Sequence, residues 1–255
     1  MFNIFATAQS GMSAYQEKID YLSNDLVNSQ TTGYKSTDVG FKDLLTESLD
    51  RNGTPLVNKT AITGTGVKLG MNYANNKQGN ILMTGGKTSL AIDGSGYFAL
   101  QQADGNIVYT RDGDFKVDST GALVNSDGTK VYIEYQNGAS EGNPTLQSED
   151  VSIDQQGGIT MKIGEEMVQI GNIPIFTAIG DKGFTPIGNN CFTPNSDATV
   201  TLSGYYKVIQ GALEASNVDT TEVMTDVILN QRAFQLSSKA ITTADDLWGM
   251  INSMK

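Results

Sequence analysis

The chain has 255 residues, a net charge of −11, no histidine and one cysteine. That length holds one or two domains, and the acidic excess argues against nucleic acid, whose binding rests on Lys and Arg neutralising phosphates. The missing histidine removes the commonest general base and neutral metal ligand, while a lone Cys191 makes neither an internal disulfide nor a zinc cluster and reads as a small buried hydrophobe.

The first element is a helix. Met1, Phe5, Ala8, Met12, Tyr15, Ile19, Leu22 and Leu26 follow an a/d heptad with mostly polar residues between them. It gives residues 1–30 as an N-terminal helix. No Lys or Arg precedes Lys18, and polar residues interrupt the apolar run, so a cleaved secretory leader is not expected. Asn28 to Gly33 breaks the pattern. Residues 31–86 read as an extended linking segment, with a turn cluster at Arg51-Asn52-Gly53-Thr54-Pro55 and a Gly- and Thr-rich stretch from Ala61 to Met71. Within it, Leu49–Lys68 has few large apolar residues and is expected to project and touch neighbouring subunits. Gly64-Thr65-Gly66 lacks the Lys-Ser/Thr of a phosphate loop and is read as backbone geometry.

From Ser89 the period becomes two. Apolar runs at Leu90, Ile92, Tyr97–Leu100, Ile107–Tyr109, Phe115 and Val117, Leu123–Val124, Val131–Ile133, Val151–Ile153, Ile159–Ile163 and Met167–Phe176 alternate with Gly/Asp turns. These predict an antiparallel β domain over residues 87–201, expected to fold alone. Lys182–Asn195 reads as a polar loop and residues 202–218 as a return linker.

The last element, residues 219–255, is a long helix. Val227, Phe234, Ile241 and Trp248 fall at one heptad position, and Val223, Asn230, Ser237, Ala244 and Ile251 three residues further on. A second apolar row of Leu229, Ala233, Leu236, Ala240, Leu247, Met250 and Met254 lies beside this seam. Asp219 with Glu222 forms a capping-box variant, and Val218 with Val223 a hydrophobic staple. The helix spans roughly 50 Å at 1.5 Å per residue. Arg232 and Lys239 interrupt its centre and exclude a membrane span. The fold class is therefore α+β, with terminal helices pairing antiparallel as a coiled coil around an inserted β domain. The two rows leave apolar surface over for further helices, unless both helices simply pack on the middle domain.

Chemistry is poorly supported. Asp112, Asp114 and Asp118 resemble the start of a calcium loop, but Val117 occupies the place that needs Gly and Leu123 the place that needs Glu. No nucleophile elbow G-x-S-x-G occurs. A carboxylate pair for glycoside hydrolysis stays open in principle, although each acid already belongs to a turn signal. No catalytic residue, metal or cofactor is assigned.

Three groups of residues carry a resemblance. The first runs from Ser23 to Lys35 and includes Asn24, Asn28, Gly33, Tyr34 and Lys35. The second comprises Leu90–Phe98, with Gly94 and Gly96, then Tyr109–Phe115 with Arg111. The third is Gly211–Asp219, with Glu214, Ser216 and Asn217, followed by Gln231 and Arg232. In this order they resemble the axial proteins of the bacterial flagellum, most closely the rod proteins. Leu49–Lys68, with Gly64-Thr65-Gly66-Val67, resembles the distal members better than the proximal ones and is shorter than in some of them, while residues 135–205 match poorly.

The resemblance implies a structural subunit of a helical tube that transmits torque from motor to hook. Its partners would be copies of itself, other rod subunits, the hook protein and the flagellar type III export apparatus, with neither nucleic acid nor membrane insertion. It would be located in the basal body, exported without signal cleavage. The expected assembly interface is Phe5, Met12, Tyr15, Ile19, Leu22 and Leu26 on the first helix, with Val223, Val227, Phe234, Ile241, Trp248 and Ile251 on the last. Alternatives are a proximal rod or hook-like axial subunit and, from another class, a secreted acidic β-domain enzyme or glycan-binding protein oligomerised by its helices.

Overall fold

A computed structural model describes residues 2–44, 46–48, 62–136, 139, 151–163, 166–178, 183–195 and 198–254. The expected projection Leu49–Lys68 falls largely outside the described residues. The chain divides into two compact units, one of residues 1–27, 37–72 and 219–255, the other of residues 28–36 and 73–218. The architecture is α+β, with a helix at each end and antiparallel strands between.

In the first unit, α1 (Phe2–Val27) and α2 (Thr220–Ser253) pack on one another. Asp219 caps α2 as its sequence requires: its carboxylate accepts from the amides of Thr221 at 2.9 Å and Glu222 at 3.2 Å. The small residues permit close approach. A Cβ added to Gly11 of α1 would lie 3.5 Å from Ser237 Oγ of α2. The strand Thr37–Asp43 runs back along α1 and pairs with Val67–Ala74. Lys18 donates to the Val39 carbonyl at 2.7 Å, and the Tyr15 and Phe41 rings meet edge to face at 5.2 Å. Buried Asp25 receives the Thr37 amide at 3.1 Å. Stretch 31–86 thus contains ordered strands, because Lys18 and Asp25 satisfy backbone groups that a free linker would leave to water.

The second unit is built around the hairpin Tyr97–Gln101 and Ile107–Thr110, which pair antiparallel. Flanking strands extend it to nine. Glu134–Tyr135, Glu166–Asn172, Gly158–Ile163 and Val151–Ile153 form a separate four-stranded sheet. Leu90, Ile92, Phe98, Leu100, Phe115, Leu123, Ile159, Ile170, Ile173 and Ile175 fill the core. Phe98 and Phe115 meet edge to face at 5.2 Å. Truncating a ring buried this completely costs about 3–5 kcal/mol.

Two expectations are corrected here. The loop Lys182–Asn195 contains a hairpin, Phe184–Gly188 with Cys191–Pro194. Asn189 and Asn190 take φ of 51° and 54°, which gives the two-residue turn that matches strand twist. Phe184 and Phe192 then pack on Tyr97, at 4.7 and 5.2 Å between ring centroids. The return linker 202–218 also contains two strands. Tyr206–Gln210 pairs with Leu90–Gly94, and Ala212–Glu214 with Ile81–Met83. The reason is burial: Val208, Ala212 and Glu214 are all interior. The compact unit accordingly reaches well beyond 87–201.

Candidate functional site

The most concentrated polar chemistry in the second unit is a buried ionic cluster. Lys35, Arg111 and Glu214 are 4%, 4% and 1% exposed. Lys35 arrives just after a left-handed turn at Gly33, φ +67°. Arg111 directly follows the strand Ile107–Thr110, and Glu214 ends Ala212–Glu214. Glu214 Oε1 accepts from Lys35 Nζ at 2.6 Å and from the Gly79 amide at 2.9 Å, and Oε2 accepts from Arg111 Nη1 at 3.0 Å. Lys35 also donates to the Lys77 carbonyl at 2.8 Å, and Arg111 Nη2 to the Gly94 carbonyl at 2.8 Å. The guanidinium lies over the Tyr97 ring, 5.3 Å from its centroid.

Two cations therefore share one carboxylate out of reach of water. Burial pulls the Lys35 ammonium below its ordinary value, opposed by the charge and hydrogen bond of Glu214. Burial pushes the Tyr97 phenol up, and its hydroxyl donates to Asn76 Oδ1 at 2.8 Å. Such a cluster holds chain segments in place. It offers no exposed nucleophile, and among the described residues no group of three or more His, Cys, Asp or Glu is placed to hold a metal ion.

The motif residues divide between the units. Gly33, Lys35, Gly94, Arg111, Glu214 and Asn217 converge. The Gly33 amide donates to the Glu214 carbonyl at 2.8 Å, and the Asn217 amide to the Tyr34 carbonyl at 3.4 Å. Asn217 Oδ1 accepts from the Ser36 amide at 2.7 Å. Gly96 has φ +143°, and a Cβ there would meet Ile175. Asn28 Oδ1 accepts from the Thr31 hydroxyl at 3.1 Å, and Ser216 Oγ from the Val218 amide at 3.3 Å. Asn24, Gln231 and Arg232 belong to the first unit and are exposed on its helices.

On α1, Leu22 is buried, Met12, Tyr15, Ile19 and Leu26 are half-buried, and Phe5 is exposed. The other buried positions on α1 are Gly11, Ala14 and Asp25. On α2, Val223 is buried, Val227, Phe234 and Ile241 are half-buried, and Trp248 and Ile251 are exposed. Gly79, Asp25 and Asp112 went unranked as site residues. Asp25 and Asp112 lie in segments that carry the resemblance, and Asp112 also opens the run that resembles a calcium loop, whereas Gly79 lies among polar and turn-forming residues that give no signal.

A helix at each end, an inserted β unit and a buried centre that fixes chain segments define a structural subunit. Comparison with known proteins agrees. Residues 91–161 match the family described as flagellar hook protein FlgE/F/G D1 domain, and residues 209–254 the flagellar basal body rod FlgEFG protein C-terminal family. The chain is 34% identical to the flagellar basal-body rod protein FlgG of Agrobacterium fabrum, over 97% of each chain. It is 34% identical to that of Borreliella burgdorferi, over 100% of this chain and 99% of the relative. Against the flagellar hook-basal body complex protein FlhP of Bacillus subtilis it is 32% identical over 100% of both. The chain belongs to the flagellar basal-body rod protein family, and its function is that of a structural rod subunit.

Proposed function

We propose that the chain polymerises as a subunit of the distal rod and there carries torque from motor to hook. In this reading α1 and α2 pair antiparallel as a coiled coil, and the surplus apolar surface of α2 meets helices of neighbouring copies. Its partners are copies of itself, other rod subunits, the hook protein and the flagellar type III export apparatus. It binds no nucleic acid, does not insert in membrane, catalyses nothing, and reaches the basal body without a cleaved signal.

The observation that supports this is the uncovered row on α2. Leu229 and Leu236 are 60% and 71% exposed, and Leu247, Met250 and Met254 continue the row. A single chain leaves this row in water, and a helical neighbour removes it at about 25 cal/mol per Å². Labelling purified basal bodies with an antibody to this chain tests the reading. Label on the rod segment next to the hook is expected. Label confined to the hook, or the protein found only as a discrete oligomer outside basal bodies, overturns it.

A further inference from the structure

We infer that the ion cluster is a clasp that anchors the segment leaving α1 to the segment leading into α2, with Glu214 as its latch. The inference rests on the second unit alone and not on the rod reading. Residues 31–36 belong to no strand and supply no side chain to either apolar cluster of the unit. Polar contacts hold this segment. Asn190 Nδ2 donates to the Thr32 carbonyl at 2.8 Å, and the Thr32 hydroxyl to Asp112 Oδ1 at 3.0 Å. Gly33 is tied to the Glu214 backbone, Lys35 to the Glu214 side chain and Ser36 to Asn217. The Ser36 carbonyl accepts from the Asn75 amide at 2.8 Å.

Half of these contacts go to residues 214–217, the last stretch before α2. Among the described residues the formal charge paired with the segment's buried ammonium is the Glu214 carboxylate, which also balances Arg111. Removing that charge leaves two buried cations with no anion between them and takes from the segment the Lys35–Glu214 ion pair, while its hydrogen bonds to Asn190, Asp112, Asn217 and Asn75 stay in place. The sheets, in contrast, keep their cores of Phe98, Phe115 and Ile175. The two segments therefore leave the β unit as a fixed pair only while the Glu214 side chain holds Lys35 and Arg111.

Hydrogen exchange on the full-length protein tests this with Glu214→Gln, which preserves shape and removes charge. Amides of residues 31–36 should exchange at least about tenfold faster, in line with the loss of a charge-assisted contact, while amides of 97–101 and 107–110 stay protected. Unchanged protection of 31–36 overturns the inference. So does simultaneous loss of protection in every strand, or failure to fold, since the cluster would then be core and not clasp. Adding Lys35→Met to Glu214→Gln should raise the melting temperature again, because one of the two uncompensated cations is gone. Purely additive losses would remove the electrostatic basis of the latch.

Discussion

Gly33 lies so close to Asp112 that a Cβ on it would stand 2.4 Å from the Asp112 amide nitrogen, and 2.6 Å from the Arg111 carbonyl carbon. Gly33→Ala therefore carries two penalties: about 1–3 kcal/mol for a left-handed backbone, and an overlap with main chain that no side-chain rotation relieves. Gly105 separates them, because its φ is +83° and nothing lies within 4 Å of the added Cβ. Denaturant unfolding should show Gly33→Ala losing clearly more stability than Gly105→Ala. Equal losses would mean that the Arg111–Asp112 backbone yields.

Asp112 gives a pH dependence. Burial raises its carboxyl above the ordinary 3.8, opposed by hydrogen bonds from the Asp114 amide and the Thr32 hydroxyl. A raised folded value means that the folded state holds this proton more tightly than the unfolded chain. Its contribution is fully present below 3.8 and is lost as pH rises through the folded value. Asp112→Asn keeps an acceptor for Thr32 and does not titrate. The stability of the variant relative to the wild type should increase from about pH 4 to about pH 7, measured by urea midpoints. A constant difference counts against the assignment.

Phe234 is half-buried on α2, one turn before Ser237, the residue that faces Gly11. An unpaired carboxylate in an apolar helix interface costs several kcal/mol or shifts its own pKa, and a polymer meets that cost at every subunit. Phe234→Asp should yield a soluble chain whose β unit melts normally, in cells that lack hook and filament and do not swim. Lys239→Ala, on the exposed face, should swim. Swimming Phe234→Asp cells, or a β unit that no longer melts cooperatively, would sink the interface assignment.

A fragment of residues 28–218 retains the whole second unit and should melt cooperatively with a β-type circular dichroism spectrum. The shorter fragment 87–201 lacks the strand Tyr206–Gln210 that pairs with Leu90–Gly94, and it lacks Glu214. It should melt at a lower temperature or without cooperativity, because Leu90 and Ile92 lose their cover and Arg111 its counter-charge. Calorimetry distinguishes the two, and equal melting temperatures would show that the closing strand is dispensable.

The helices and most strands were legible because periodicity survives in the sequence: heptads at both ends and alternation from Ser89 onwards. The Asp219 cap was legible because its geometry is local. The hairpin at Phe184–Pro194 was not, since its turn depends on two asparagines accepting positive φ, and its reward is contact with Tyr97 and Tyr109, far earlier in the chain. The cluster was the hardest. Lys35 and Glu214 are isolated charges in sequence and Arg111 adjoins Asp112, and such charges are ordinarily solvated. Only the resemblance singled them out, and only the fold brings them within 3.0 Å of a common carboxylate. On α1, buried Gly11 and Asp25 escaped an apolar pattern because one has no side chain and the other works by accepting a backbone amide.

Trp248 is the chain's one tryptophan, and it stands half-exposed near the end of α2. Ultraviolet emission excited at the indole edge therefore originates from those final turns alone and is blind to the sheets. The molecule thus contains its own optical reporter. When a neighbouring helix covers the indole, its emission should move to shorter wavelength and its quenching by acrylamide should fall. Heat that melts only the β unit should leave both signals where they were.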